Sequence, residues 1–152
     1  MKMIDVGAKP KTERVAIARG FVSMARATVA RVRKGDVEKG DVLAAARLAG
    51  IMAAKRTPDL VPLCHPIALS GVDVEATPGP GGVELVATVR TVDRTGVEME
   101  ALAAVAAGCL TVYDMLKRYE RGMRIESLEL LRKSGGRTGV WERGAAPRRR
   151  TR

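Results

Sequence analysis

The chain has 152 residues, 46% hydrophobic and 29% charged, which is enough to bury a core without disulfide staples and too apolar for a disordered chain. Charged residues interrupt every apolar stretch before it reaches the roughly 18–20 residues of a membrane span, and two cysteines with one histidine exclude a disulfide framework and supply few ligands for a structural zinc site. The net charge of +10 is uneven: residues 143–152 hold five cations and no acid, so residues 1–142 keep 22 cations against 17 acids, a net +5 that suits an anionic ligand.

Residues 12–22 alternate through Val15, Ile17, Arg19 and Phe21, which predicts a strand. A helix is expected over 23–34, with Ser23 as N-cap and Gly35 as stop. The segment 40–56 is a better helix, capped by Asp41, with Val42, Leu43, Ala46, Ala49, Ile51 and Met52 on its apolar side and Pro58 as terminator. Three prolines in 57–66 predict an ordered, non-helical connection around Cys64 and His65. Strands over 67–76 and 83–92, joined by the turn 77–82, carry the strongest β signal, with Asp73 and Glu75 on a wet face. Residues 97–121 read as one long helix ending at Gly122, and 123–132 as a last strand before a flexible KSGGRTG and the basic tail. The order β-α-α-β-β-α-β predicts an α+β, ferredoxin-like domain over 1–142, an antiparallel sheet with helices packed on one face.

His65 is the one histidine, in Leu63-Cys64-His65-Pro66, where flanking prolines present the imidazole rigidly; a partly buried loop histidine is the plainer reading. Glu98 and Glu100 point about 200° apart on a regular helix, but an extended entry after Gly96 would let them converge on a cleft for acid/base work; the plainer reading is one solvated glutamate and one favourable first-turn charge. Asp114 and Lys117 share a helix face. As a surface ion pair they add little; beside a substrate the carboxylate would hold the lysine as a cationic donor. Lys39, Lys55 and Arg56, with Lys117, supply charge for a polyphosphate. SGGRTG (134–139) lacks the P-loop spacing and is weak evidence for a phosphate cradle. Glu100 and Asp114 lie about 21 Å apart along a continuous helix, so a site that uses both is elongated or lies between two subunits.

The segments KGDV (39–42), AAKRT (53–57), LCHP (63–66), TGVEMEA (95–101), Tyr113-Asp114-Met115 with Lys117, and KSGG (133–136) occur in one order. Together they closely resemble the cyclic pyranopterin monophosphate synthase (MoaC) family of molybdenum cofactor biosynthesis, over roughly residues 3–142. The resemblance implies a cytoplasmic, ferredoxin-like enzyme, hexameric as a trimer of dimers with sites between subunits. Its substrate would be 3′,8-cyclo-7,8-dihydro-GTP and its products cyclic pyranopterin monophosphate and pyrophosphate. It further implies catalytic roles for Lys39, His65, Glu98, Glu100, Asp114 and Lys117, and substrate contacts from Leu63, Cys64, His65, Met99, Glu100 and Lys55.

No cofactor or protein-held metal is expected, although magnesium can arrive on the triphosphate. The N-terminus MKMIDVGAKPK has no apolar signal core, in line with a cytoplasmic location. The absence of Asn and Gln fits a thermophilic source or GC-rich coding. The rival class is a basic module that binds RNA or a protein through its tail. Four aromatic residues offer it little stacking surface, so neither nucleic acid nor membrane is expected as a partner. A GTP cyclohydrolase would need a metal-activated water that these few soft ligands serve poorly.

Overall fold

The structure is a computed structural model and describes residues 1–144; the basic tail lies outside the described residues except for Arg143 and Gly144. A five-stranded antiparallel sheet in the order β2-β3-β1-β4-β5 is built from β1 (Thr12–Ser23), β2 (Gly71–Gly79), β3 (Gly82–Asp93), β4 (Arg124–Ser134) and β5 (Trp141–Glu142). Helices α1 (Arg26–Lys34), α2 (Val42–Ala54), α3 (Thr57–Leu60) and α4 (Glu98–Leu116) complete the chain. The first four strands and their two crossovers follow the split βαβ arrangement, so the α+β expectation holds.

In β1 it is Ala16, Ala18, Gly20 and Val22 that lie buried under α4, while the residues that gave the alternation, Val15, Ile17, Arg19 and Phe21, face the other side and are only half-buried. Small residues under the helix bring it close: a Cβ on Gly20 would lie 2.7 Å from Cys109 Sγ. Across α4, Gly108 and Gly50 do the same between helices. A Cβ at Gly50 would lie 3.0 Å from the carbonyl of Ala104, and one at Gly108 would overlap Leu85 and sit 3.2 Å from the carbonyl of Ala46. Helix α4 is long and apolar enough to cross a membrane by length and composition, but half of it is buried inside the fold.

Several boundaries differ from the sequence reading, each for a local reason. Ser23 does not cap α1. It ends β1, where its hydroxyl donates to Glu126 Oε1 at 3.0 Å, and the start of α1 is held by Glu120, whose carboxylate accepts from the N–H of the N-cap residue Ala25 at 3.0 Å and from the Thr28 hydroxyl at 2.6 Å. Gly35 does stop α1, in the left-handed region at φ 68°. Asp41 caps α2 as expected, accepting from the Ala44 N–H at 3.0 Å. Its far end is closed by Thr57 rather than Pro58: the buried hydroxyl donates to the Ala54 carbonyl at 3.0 Å. Pro58 instead sits in the first turn of α3, where its missing N–H costs nothing, so the stretch 57–66 is not wholly non-helical. Strand β2 starts later than expected and its hairpin is tighter, with Gly79 pairing to Gly82. Helix α4 ends at Leu116, not at 121, and β5 was not anticipated.

Candidate active site

Glu98 and Glu100 both fall in the first turn of α4, so the extended entry expected for them is not formed and their side chains part. Glu98 folds back over Gly96, its carboxylate occupying the space a Cβ would take there. Glu100 turns inward and is 2% exposed. Its Oε1 accepts from Cys64 Sγ at 3.5 Å, and its buried Oε2 has no partner. Burial, with Glu98 close by, raises the Glu100 pKa above the ordinary carboxylate value. The same burial and the neighbouring carboxylate push the Cys64 thiol up to about 11, so it stays a thiol. His65 Nε2 donates to the Ile4 carbonyl at 2.7 Å, which ties the N-terminal segment to the loop.

These residues enclose a cavity of about 330 Å³ lined by Leu63, Cys64, His65, Thr95, Glu98 and Met99 among others. Glu100 sits behind its Cys64 wall. The structure thus gathers His65, Glu98, Glu100, Leu63, Cys64 and Met99 at the N-terminal end of α4.

A second cavity of about 280 Å³ shares Thr95, Gly96 and Glu98 with the first and adds Lys9, Arg14, Arg94, Lys133 and Arg137. The sequence reading did not assign these five cations to the site. Gly136, left-handed at φ 71°, packs against the Arg14 guanidinium, where a Cβ would overlap it. The guanidinium donates to the Arg94 carbonyl at 3.2 Å, while Arg14 Nε and Thr12 Oγ1 are buried without partners. Unpartnered donors beside clustered cations suit an anion.

At the opposite end of α4, Asp114 holds two lysines: Lys39 Nζ at 2.6 Å from Oδ2 and Lys117 Nζ at 2.7 Å from Oδ1. Hydrogen bonds from Lys117 and Lys39 lower the carboxyl to about 2. Lys55 joins neither group in one chain. It lines a separate hollow with Ile51, Leu69, Ser70, Gly71 and Val72. Among the described residues, no three His, Cys, Asp or Glu side chains cluster as metal ligands would.

The buried, electrically costly Glu100 yields a stability test with a definite sign. Its folded pKa is raised, so its contribution is complete below the unfolded value of about 4.5 and is lost as pH rises through the folded value. Glu100→Gln is therefore expected to gain on the parent in Tm as pH rises from 4 towards 8, the curves meeting at the acid end. A gap that narrows with rising pH in calorimetric scans would show instead that the carboxylate is charged and well partnered.

The MoaC family model matches residues 3–136, which contain both ends of α4 and every cation of the second cavity except Arg137. The cyclic pyranopterin monophosphate synthase of Thermomicrobium roseum is 56% identical, the match covering 93% of this chain and 87% of that protein. The proteins of that name from Rhodospirillum rubrum and from Roseiflexus sp. are each 57% identical, covering 91% of this chain and 85% and 89% of their own lengths. With most of its length and both charged groups inside these matches, the chain belongs to the MoaC family.

Proposed function

We propose that this protein is the lyase of molybdenum cofactor biosynthesis that converts (8S)-3′,8-cyclo-7,8-dihydroguanosine 5′-triphosphate to cyclic pyranopterin monophosphate with release of pyrophosphate. What carries the reading is the extent of identity to proteins of that name, over nearly the whole chain. The two communicating cavities agree with it, one lined by carboxyl and imidazole groups and one by cations, a pairing that suits a base bearing a triphosphate.

The base-derived ring lies against Leu63, Cys64, His65 and Met99. Its opening and reclosure need protons delivered to and taken from nitrogen and oxygen. Glu100, whose carboxyl holds its proton more tightly because it is buried, supports proton transfer there from behind the Cys64 wall, and Glu98 and His65 bind and exchange protons at the ring edge. The cyclic phosphate forms when a sugar hydroxyl attacks the α-phosphorus. The hydroxyl proton passes to a base, and the broken P–O bond leaves its electron pair on pyrophosphate. Arg14, Lys133 and Arg137 offset that growing charge. Asp114 stays anionic at neutral pH and holds Lys117 and Lys39 as cationic acids, with Lys39 supporting ring opening or phosphate displacement. Lys55 adds a substrate contact from its own hollow. The protein itself needs no cofactor, and magnesium enters with the triphosphate.

Glu100 and Asp114 are separated along the straight run of α4 by about 21 Å. A site drawing on both is therefore completed by a second subunit, consistent with a cytoplasmic homohexamer arranged as a trimer of dimers. The test is incubation of the purified protein with the cyclised nucleotide. Both cyclic pyranopterin monophosphate and pyrophosphate are expected; intact substrate after incubation with folded oligomer would overturn the assignment, and survival of turnover after deletion of 143–152 would make the tail accessory.

A further inference from the structure

Lys39 stands in the connection between α1 and α2, flanked by two left-handed glycines, Gly35 and Gly40 at φ 68° and 100°. Such a loop leaves a long lysine side chain free to wander. An ion pair as exposed as Lys39 with Asp114, about half-exposed on each side, supplies little energy to hold it. Something other than the pair must fix the loop.

The turn after α4 does so through three consecutive side chains. Arg118 forms an ion pair with Glu38, and Glu120 secures the start of α1 as described above. Between them, the Tyr119 hydroxyl accepts the backbone N–H of Glu38, the residue just before Lys39, at 2.9 Å. The ring packs against the core and carries the Arg31 guanidinium 4.7 Å above its centre. The Arg118–Glu38 pair is largely exposed on both sides and screened by salt. Val37 is buried in the core on one side of Glu38, and the phenol adds an anchored, directional contact at the Glu38 N–H itself, next to Lys39.

We propose that Tyr119 is a positioning residue: by fixing the Glu38 N–H its hydroxyl holds the Lys39 ammonium on Asp114 and keeps the Lys39–Asp114–Lys117 group assembled. The proposal rests on the reading of Lys39 and Asp114 as part of the site. It assigns to the turn 118–120 a task beyond ending a helix, since the same segment that follows Lys117 also delivers Lys39.

Tyr119→Phe in the full-length protein keeps the ring, its packing and the Arg31 contact and removes only the acceptor. Backbone hydrogen exchange over 36–40 is expected to quicken about fivefold, the effect of one lost hydrogen bond. kcat is expected to fall about three- to tenfold with KM within about twofold and Tm within about 3 °C. In the Lys39→Ala background the same change leaves the residual turnover where it was. Unchanged exchange, unchanged kcat, or an equal loss in the Lys39→Ala background would each overturn the proposal. Exchange is read without substrate, so faster exchange in a protein with no turnover at all would count against the enzymatic assignment and not against the clamp.

Discussion

Asp114→Ala is expected to cut turnover by about 100-fold or more while leaving the chain folded and its assembly intact. The carboxylate is about half-exposed, so its stabilising contribution is small, yet it is the point on which two ammonium groups converge. Without it both lysines drift, and the loss of positioned proton transfer alone is worth about 10²–10⁴-fold. Its folded carboxyl is lowered to about 2, so the charge is present above the unfolded value and disappears only as pH falls through about 2. The pH–rate profile of the parent therefore has no limb from Asp114 between about pH 5 and 9. Steady-state kinetics on the alanine variant decide the point; turnover within about threefold of the parent would remove Asp114 from the chemistry. Mixing Asp114→Ala with Glu100→Ala chains is expected to recover turnover that neither has alone, since a mixed pair keeps one complete site. No recovery after subunit exchange would place both groups in one chain's own site.

Gly108→Val is expected to cost roughly 3 kcal/mol or more, because overpacking forces backbone and rotamers to move in a close-packed core. The new side chain meets the fully buried Leu85 on one side and the backbone carbonyl of Ala46 on the other, and a carbonyl in a helix cannot step aside. For a chain of this size the loss corresponds to a Tm lower by about 6–12 °C. Gly122, where a Cβ meets nothing within 4 Å, is the control. Gly122→Ala is expected to alter stability by less than about 0.5 kcal/mol. Equal Tm values for the two variants would mean that α2 and α4 have slack at their crossing.

The elements that could be read from sequence were those fixed by local chemistry. Alternating residues on either side of TPGPGG defined the hairpin, and Asp41 marked the start of α2 through a contact three residues away. Ser23 misled because the better cap for α1, Glu120, is 95 residues distant from the Ala25 N–H it accepts. The first-turn placement of Glu98 and Glu100 is the plainer of the two readings their spacing allowed, and Gly96 did not open the start of the helix. The residues at each end of α4 were legible because each sits in a short motif of its own, LCHP with TGVEMEA at one end and KGDV with Tyr113-Asp114-Met115 at the other, although the chain folds 36 and 75 residues back to join them. The cationic cavity was not, since Lys9 precedes β1, Arg14 lies near its start, Arg94 directly follows β3 and Lys133 belongs to β4, and pairing of these strands brings them together. The paired glycines after Lys133 were its one local sign.

The short strand β5 gives the molecule an optical reporter. Trp141 is the single tryptophan, partly exposed, with Arg143 5.8 Å from its ring centre, and it pairs across the sheet with Lys133, a wall of the cationic cavity. Arg143 is itself fastened to the Leu130 carbonyl at 2.8 Å, so the indole does not hang on a loose end. Light absorbed at the red edge of the protein spectrum is therefore emitted from one place, next to where the phosphates are proposed to lie. Filling of that cavity is the event this single indole is placed to report in unlabelled protein.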